Sequence, residues 1–156
     1  MGFNIELLKN APQFEDGGQH ASWGVITLGD FEERFLAYTD CWSVSDYEAA
    51  WLEAVDLIIA GSPKSALVTD AHRRGTRGAT IVWPMWRKDD TVFVQNRLLL
   101  PERIPNPLTL RNIISGLGER QTLNDEGEPL SEWHISVSEL RTFRDRIRGT
   151  KEGVIW

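Results

Sequence analysis

The sequence predicts an α+β fold, antiparallel β-sheets with a central and a C-terminal helix packed on them. Three observations carry this expectation. Short β-prone runs fill most of the first forty residues and the stretch 80–100. Two segments, opening near Ser45 and Ser136, change to helical periodicity behind a capping-box spacing. The order of these segments is not the regular strand-helix alternation that a parallel sheet requires. With 156 residues, 41% of them hydrophobic, the chain fits one domain spanning 1–156.

Taken in order, FNIELL (3–8) and WGVITLGDFEERFLAY (23–38) read as short strands, the second run turning at Gly29-Asp30. In SDYE, Ser45 is a candidate N-cap and Glu48 stands three residues on, so a helix is expected from there. Tyr47, Trp51, Ala54, Val55, Ile58 and Ile59 fall on one arc of that helix, and Gly61 with Pro63 stops it. Asp46, Glu53 and Asp56 occupy the opposite face, where an ordinary solvated helix surface is favoured over an acidic docking surface. SALVTD (65–70) is a further strand, and AHRRGTRGA a basic, glycine-bearing loop.

Residues 80–87 and 92–100 have the aromatic and β-branched content of strands, and KDDT (88–91) supplies the turn of an antiparallel hairpin. Both alternating lines of the first strand are apolar, Ile81, Trp83 and Met85 against Val82, Pro84 and Trp86, which implies cover on both faces. Pro84 cannot donate to a ladder, so a bulge or an edge position is expected there. Beyond PERIPNP, the residues Leu110, Ile113, Ile114 and Leu117 ahead of Gly118 mark a short helix. NDEGEP is a turn and SEWHIS one more strand. Ser136 and Glu139 then cap an amphipathic helix built on Val137, Leu140, Phe143 and Ile147 and ending near Gly149. The total is four to seven strands.

The net charge of -6 repels nucleic acid and anionic membrane and favours basic partners. The single cysteine, Cys41, makes no internal disulfide, and neither a secretory leader nor an apolar run of membrane-spanning length stands out, so a cytoplasmic address is expected. Chemistry is sparse. There is no nucleophile elbow, phosphate loop or zinc-protease motif, and His20, His72 and His134 lie far apart. A metal site assembled from Cys41, His72 and His134 lacks the paired local ligands such sites show, and no metal, cofactor or catalytic residue is assigned.

Two sharper readings compete with structural ones. Arg73, Arg74 and Arg77 could grip phosphates while Trp83 and Trp86 stack bases, giving a single-stranded nucleic-acid binder. Against this, tryptophans on a doubly covered strand are core, loop arginines are solvated charge, and the chain is acidic; nucleic acid is therefore the alternative, not the favoured partner. Gln95 and Asn96 point to opposite faces, and the inward one could serve partner or ligand recognition, but a structural amide pinning a bulge opposite Pro84 is favoured.

The segments SVSDYEAAWLEA, KSALVTD, W…DDTVFVQN and ERQTLNDEGEPLSEWHIS, followed by the terminal helix, together resemble the immunity proteins of bacterial contact-dependent growth inhibition, of the Enterobacter cloacae type. The matching features are Asp46-Tyr47 with Trp51, Ser-Ala-Leu at 65–67, Val-Gln-Asn at 94–96 and Ser-Glu-Trp-His at 131–134. Trp51, Trp83, Asn96 and Trp133 stand in these motifs as fold-building positions. The resemblance runs from about Trp42 to Phe143. It implies a Whirly-like fold and a non-catalytic protein that binds and neutralises the toxin domain of a surface-delivered effector, a ribonuclease in the typifying system. An acidic inhibitor would present carboxylates to a basic toxin groove, and Asp46, Glu53 and Asp56 are the expected contact residues.

Overall fold

The computed structural model describes residues 2–8, 14–16, 19–72 and 78–151. Two antiparallel sheets and three α-helices form the fold, which is α+β as expected. The first sheet holds β1 (Phe3–Leu7), β2 (Phe14–Asp16), β3 (Gln19–Leu28) and β4 (Phe31–Tyr38). Strand β3 is central, with β4 along one edge and β1 and β2 end to end along the other. Gly29 (φ +64) and Asp30 make the two-residue turn between β3 and β4, a position where glycine avoids the Cβ clash of left-handed backbone.

The second sheet holds β5 (Lys64–Asp70), β6 (Thr80–Lys88), β7 (Thr91–Val94), β8 (Arg97–Leu99) and β9 (Trp133–Ser136). That makes nine strands among the described residues, more than the four to seven expected. The excess comes from the three-residue β2 and from the second hairpin arm, which is split into β7 and β8. Both pair with β6 in one register, Met85 opposite Val94 and Val82 opposite Arg97, so no residue is inserted between them. The break lies at Pro84. Gln95 N donates to Pro84 O at 3.1 Å, but the reciprocal bond needs an N–H that proline lacks. Pro84 therefore sits in a central strand at neither an edge nor a bulge, and the ladder goes slack on one side only. The bulge of this sheet is in β5, where the register slips between Val68 and Asp70.

Helix α1 (Val44–Ile59) is capped two residues before the expected Ser45. Ser43 is the N-cap: its Oγ accepts from Asp46 N at 3.1 Å, and Ser43 N donates to Asp46 Oδ2 at 2.9 Å. The deciding contact lies outside that box. Trp42 and Tyr47, the positions of a hydrophobic staple for a Ser43 cap, meet edge to face at 5.4 Å. Helix α2 (Leu110–Ser115) ends at Gly116 and not at Gly118; a Cβ on Gly116 would lie 2.3 Å from Arg103 O, so only glycine allows this close approach to the 3-10 turn Pro101–Arg103. Helix α3 (Val137–Lys151) carries the expected Ser136–Glu139 box and runs slightly past Gly149.

One hydrophobic cluster joins the elements. Tyr47, Trp51, Val55 and Ile58 of α1 bury against β5, and Leu140 and Phe143 of α3 close over Phe3 of β1. Trp51 is held at its polar end as well, its Nε1 donating to Val68 O at 2.7 Å. The first sheet reaches the second at β4, where Tyr38 N donates to Asp70 Oδ1 at 3.2 Å and Phe31 stacks on Trp133 at 4.4 Å. Strand β6 is buried on both faces from Val82 to Trp86, as the doubled apolar pattern predicts.

Candidate functional site

The split between β7 and β8 shapes an open concavity beside the second sheet. Past Val94 the chain loses its partner β9, because residues before Trp133 turn away and pair among themselves, Leu123 bridging Pro129. Gln95 holds the fork. It is 2% exposed; its Nε2 donates to Gln121 O at 2.7 Å and to Glu132 Oε2 at 2.8 Å, and its Oε1 accepts from Arg97 Nη2 at 2.7 Å. A buried amide with both ends bonded is a structural group, and it is the inward member of the Gln95-Asn96 pair. Asn96 is exposed.

Around this fork the charges are fixed in place. Arg120 grips Glu132 with Nε at 2.7 Å and Nη2 at 2.6 Å, a two-point contact that also lays the guanidinium 3.8 Å over the Phe93 ring. These bonds hold the Glu132 carboxyl below its usual range and raise Arg120. Arg97 lies over Trp86 at 5.2 Å, and its partial burial lowers its affinity for the proton. Between β8 and the 121–131 segment lies a groove of about 710 Å³, lined by Glu33, Asn96, Arg97, Leu98, Leu123, Asp125 and Trp133 among others.

The acids expected on α1 are placed together, but each already has a partner. Asp46 caps the helix, Glu53 pairs with Arg111 at 3.4 Å, and Asp56 is bonded by Arg148. The tryptophan pair is enclosed: Trp83 is 1% and Trp86 6% exposed, so neither offers a ring face to a base. Arg73, Arg74 and Arg77 lie outside the described residues. Trp51 is buried and Trp133 half-buried against Phe31 and Trp83.

For catalysis, the notable pair is Asp70–His72, with Nε2 and Oδ2 at 2.9 Å and both side chains buried. Its other contacts are structural: Asp70 also binds Tyr38 N, and the His72 backbone exchanges two bonds with Thr80 Oγ1. Cys41, His72 and His134 are not brought together, and no group of three metal-ligating side chains occurs among the described residues. Likewise no helix is long and apolar enough to cross a membrane.

Comparison with known proteins supplies what the geometry leaves open. The profile of the CdiI N-terminal domain matches residues 37–143. The immunity protein CdiI of Enterobacter cloacae subsp. cloacae is 25% identical over 118 residues, 76% of this chain and 81% of that protein. A chain in the solved CdiA-CT/CdiI toxin and immunity complex from Enterobacter cloacae has the same fold, with a TM-score of 0.80 at 22% identity, covering 94% of this chain and 99% of that one. Since the profile match spans well over half of the residues, the chain belongs to the family of CdiI N-terminal domains.

Proposed function

We propose that this chain is an immunity protein that works in the cytoplasm by binding and neutralising the toxin domain of a contact-dependent growth inhibition effector, and that this toxin is a basic nuclease. The observation that carries the reading is the family match over 37–143, which spans α1, the whole second sheet and the start of α3. The relative is an immunity protein, and the matching fold was solved in a complex of toxin and immunity protein. A net charge of -6 supports the basic partner, because complementary charge speeds encounter and orients it. The nucleic-acid alternative loses its stacking platform, since both tryptophans it would use are enclosed.

The test is co-production. Cells making the toxin domain encoded next to this chain's gene should stop growing, and those also making the chain should grow normally, with the two proteins recovered as one complex. Growth arrest that the chain does not relieve would contradict the proposal.

A further inference from the structure

We propose that the groove between β8 and the 121–131 segment is where the toxin domain docks, by laying a basic, extended segment along the open edge of β8. This inference rests on the immunity function proposed above and names its surface.

Backbone geometry comes first. The Gln95–Pro84 bond sets the alternation along the hairpin: Arg97 and Leu99 turn their N–H and C=O toward β6, while Asn96 and Leu98 turn theirs outward. Outward is where β9 would lie if it continued, but Glu132 is drawn aside by Gln95 and Arg120. Among the described residues nothing is bonded to the Leu98 backbone on that side. An unpaired edge of this kind accepts an added strand through its main chain.

Side chains then define what fits. Leu98 is 68% and Leu123 53% exposed, one on each wall of the groove. Exposed leucines lining a groove at an open sheet edge mark a surface that is covered in use. Glu33 and Asp125 also line the groove, and Glu126 and Glu128 stand at the tip of the same segment. None of these four carboxylates is paired with a base among the described residues. The one base inside, Arg97, is committed to Gln95 and Trp86. The α1 face offers the opposite case, since Arg111 and Arg148 already offset its acids. A segment alternating apolar and basic residues would place the first against Leu98 and Leu123 and the second against Glu33 and Asp125.

The test measures binding of the purified toxin domain encoded by the adjoining reading frame to the full chain and three variants. Leu98→Pro deletes only an outward-facing N–H at an edge, where proline is tolerated. Glu33→Lys with Asp125→Lys reverses the groove's charge, and Glu53→Lys with Asp56→Lys reverses that of α1. Each groove variant should melt like the parent and lose about tenfold or more in affinity, whereas the α1 variant stays within about threefold. Parent-like affinity in both groove variants would overturn the inference and leave the immunity reading standing. So would a toxin-free dimer of the chain that Leu98→Pro dissolves, since the groove would then belong to a second copy. A parent chain that does not bind the toxin domain at all would overturn the immunity reading and this inference with it.

Discussion

At the residue scale, the tryptophans show what sequence can and cannot settle. Their burial is legible, because a strand apolar on both lines has no face to give to water. How each indole N–H is satisfied is not. Trp51 donates to Val68 O at 2.7 Å, while the buried Nε1 atoms of Trp83 and Trp86 have no partner among the described residues. The substitutions Trp51→Phe and Trp83→Phe remove the same atoms, yet the first also strands a carbonyl. Urea denaturation should find Trp51→Phe about 1–2 kcal/mol more costly than Trp83→Phe; equal losses would show that the Val68 bond adds nothing. Glu132 gives a pH signature. Its folded pKa lies below the unfolded one, first because of the bonds from Arg120, so the stability it lends is present above the ordinary glutamate value of about 4.3 and disappears as pH falls through the depressed value. Melting temperatures of the parent and Glu132→Gln should converge as pH is lowered below about 4. A gap that stays constant with pH would refute the linkage.

At the element scale, a local signal specifies its element where all of its residues lie close in sequence. The Ser136–Glu139 box of α3 depends on residues three apart, and the structure has it. For α1 two serines each precede an acid by three, and spacing alone cannot choose between them; the Trp42–Tyr47 staple chooses Ser43. The far end of α1 is closed from outside the helix. No basic residue lies in its last turn, and Arg87 of β6 donates to Ile58 O at 2.8 Å and Ile59 O at 3.2 Å, while its Nε binds Asp89 O in the β6–β7 turn. Nothing in the sequence near Ile59 announces this cap, which exists only once β6 is beside β5. Replacing Arg87 with alanine leaves two carbonyls to water and should cost about 1–2 kcal/mol, read as a lower denaturation midpoint at unchanged slope. An unchanged midpoint would mean that solvent satisfies the helix end equally well. Pro84 follows the same logic. Its missing donor was visible in the sequence, but its place in the middle of a sheet, with the loss confined to one side, is a product of the three-strand arrangement.

At the scale of the whole molecule, the α+β class followed from the mixture of strand runs and two capped helices, and the family from motifs that lie within or beside the second sheet. The groove did not follow, because it is made where three separated segments, β4, β8 and 121–131, meet around Gln95. Charge is the reason the groove, and not the α1 face, is proposed as the docking surface. Counting acids along α1 identifies a polar surface, but the arginines that offset it come from α2 and α3, distant in sequence. Reversing Glu53 and Asp56 should therefore leave stability nearly unchanged, as exposed ion pairs contribute about 0–1 kcal/mol each. The central proposal is that this acidic chain acts by receiving a basic toxin domain. The most direct measurement is the association rate of the chain with the purified toxin domain across a range of salt concentrations. We predict a one-to-one complex whose association slows steeply as salt screens the attraction while its dissociation changes little. A complex that forms at the same rate at low and high salt, or no complex at all, would contradict the account.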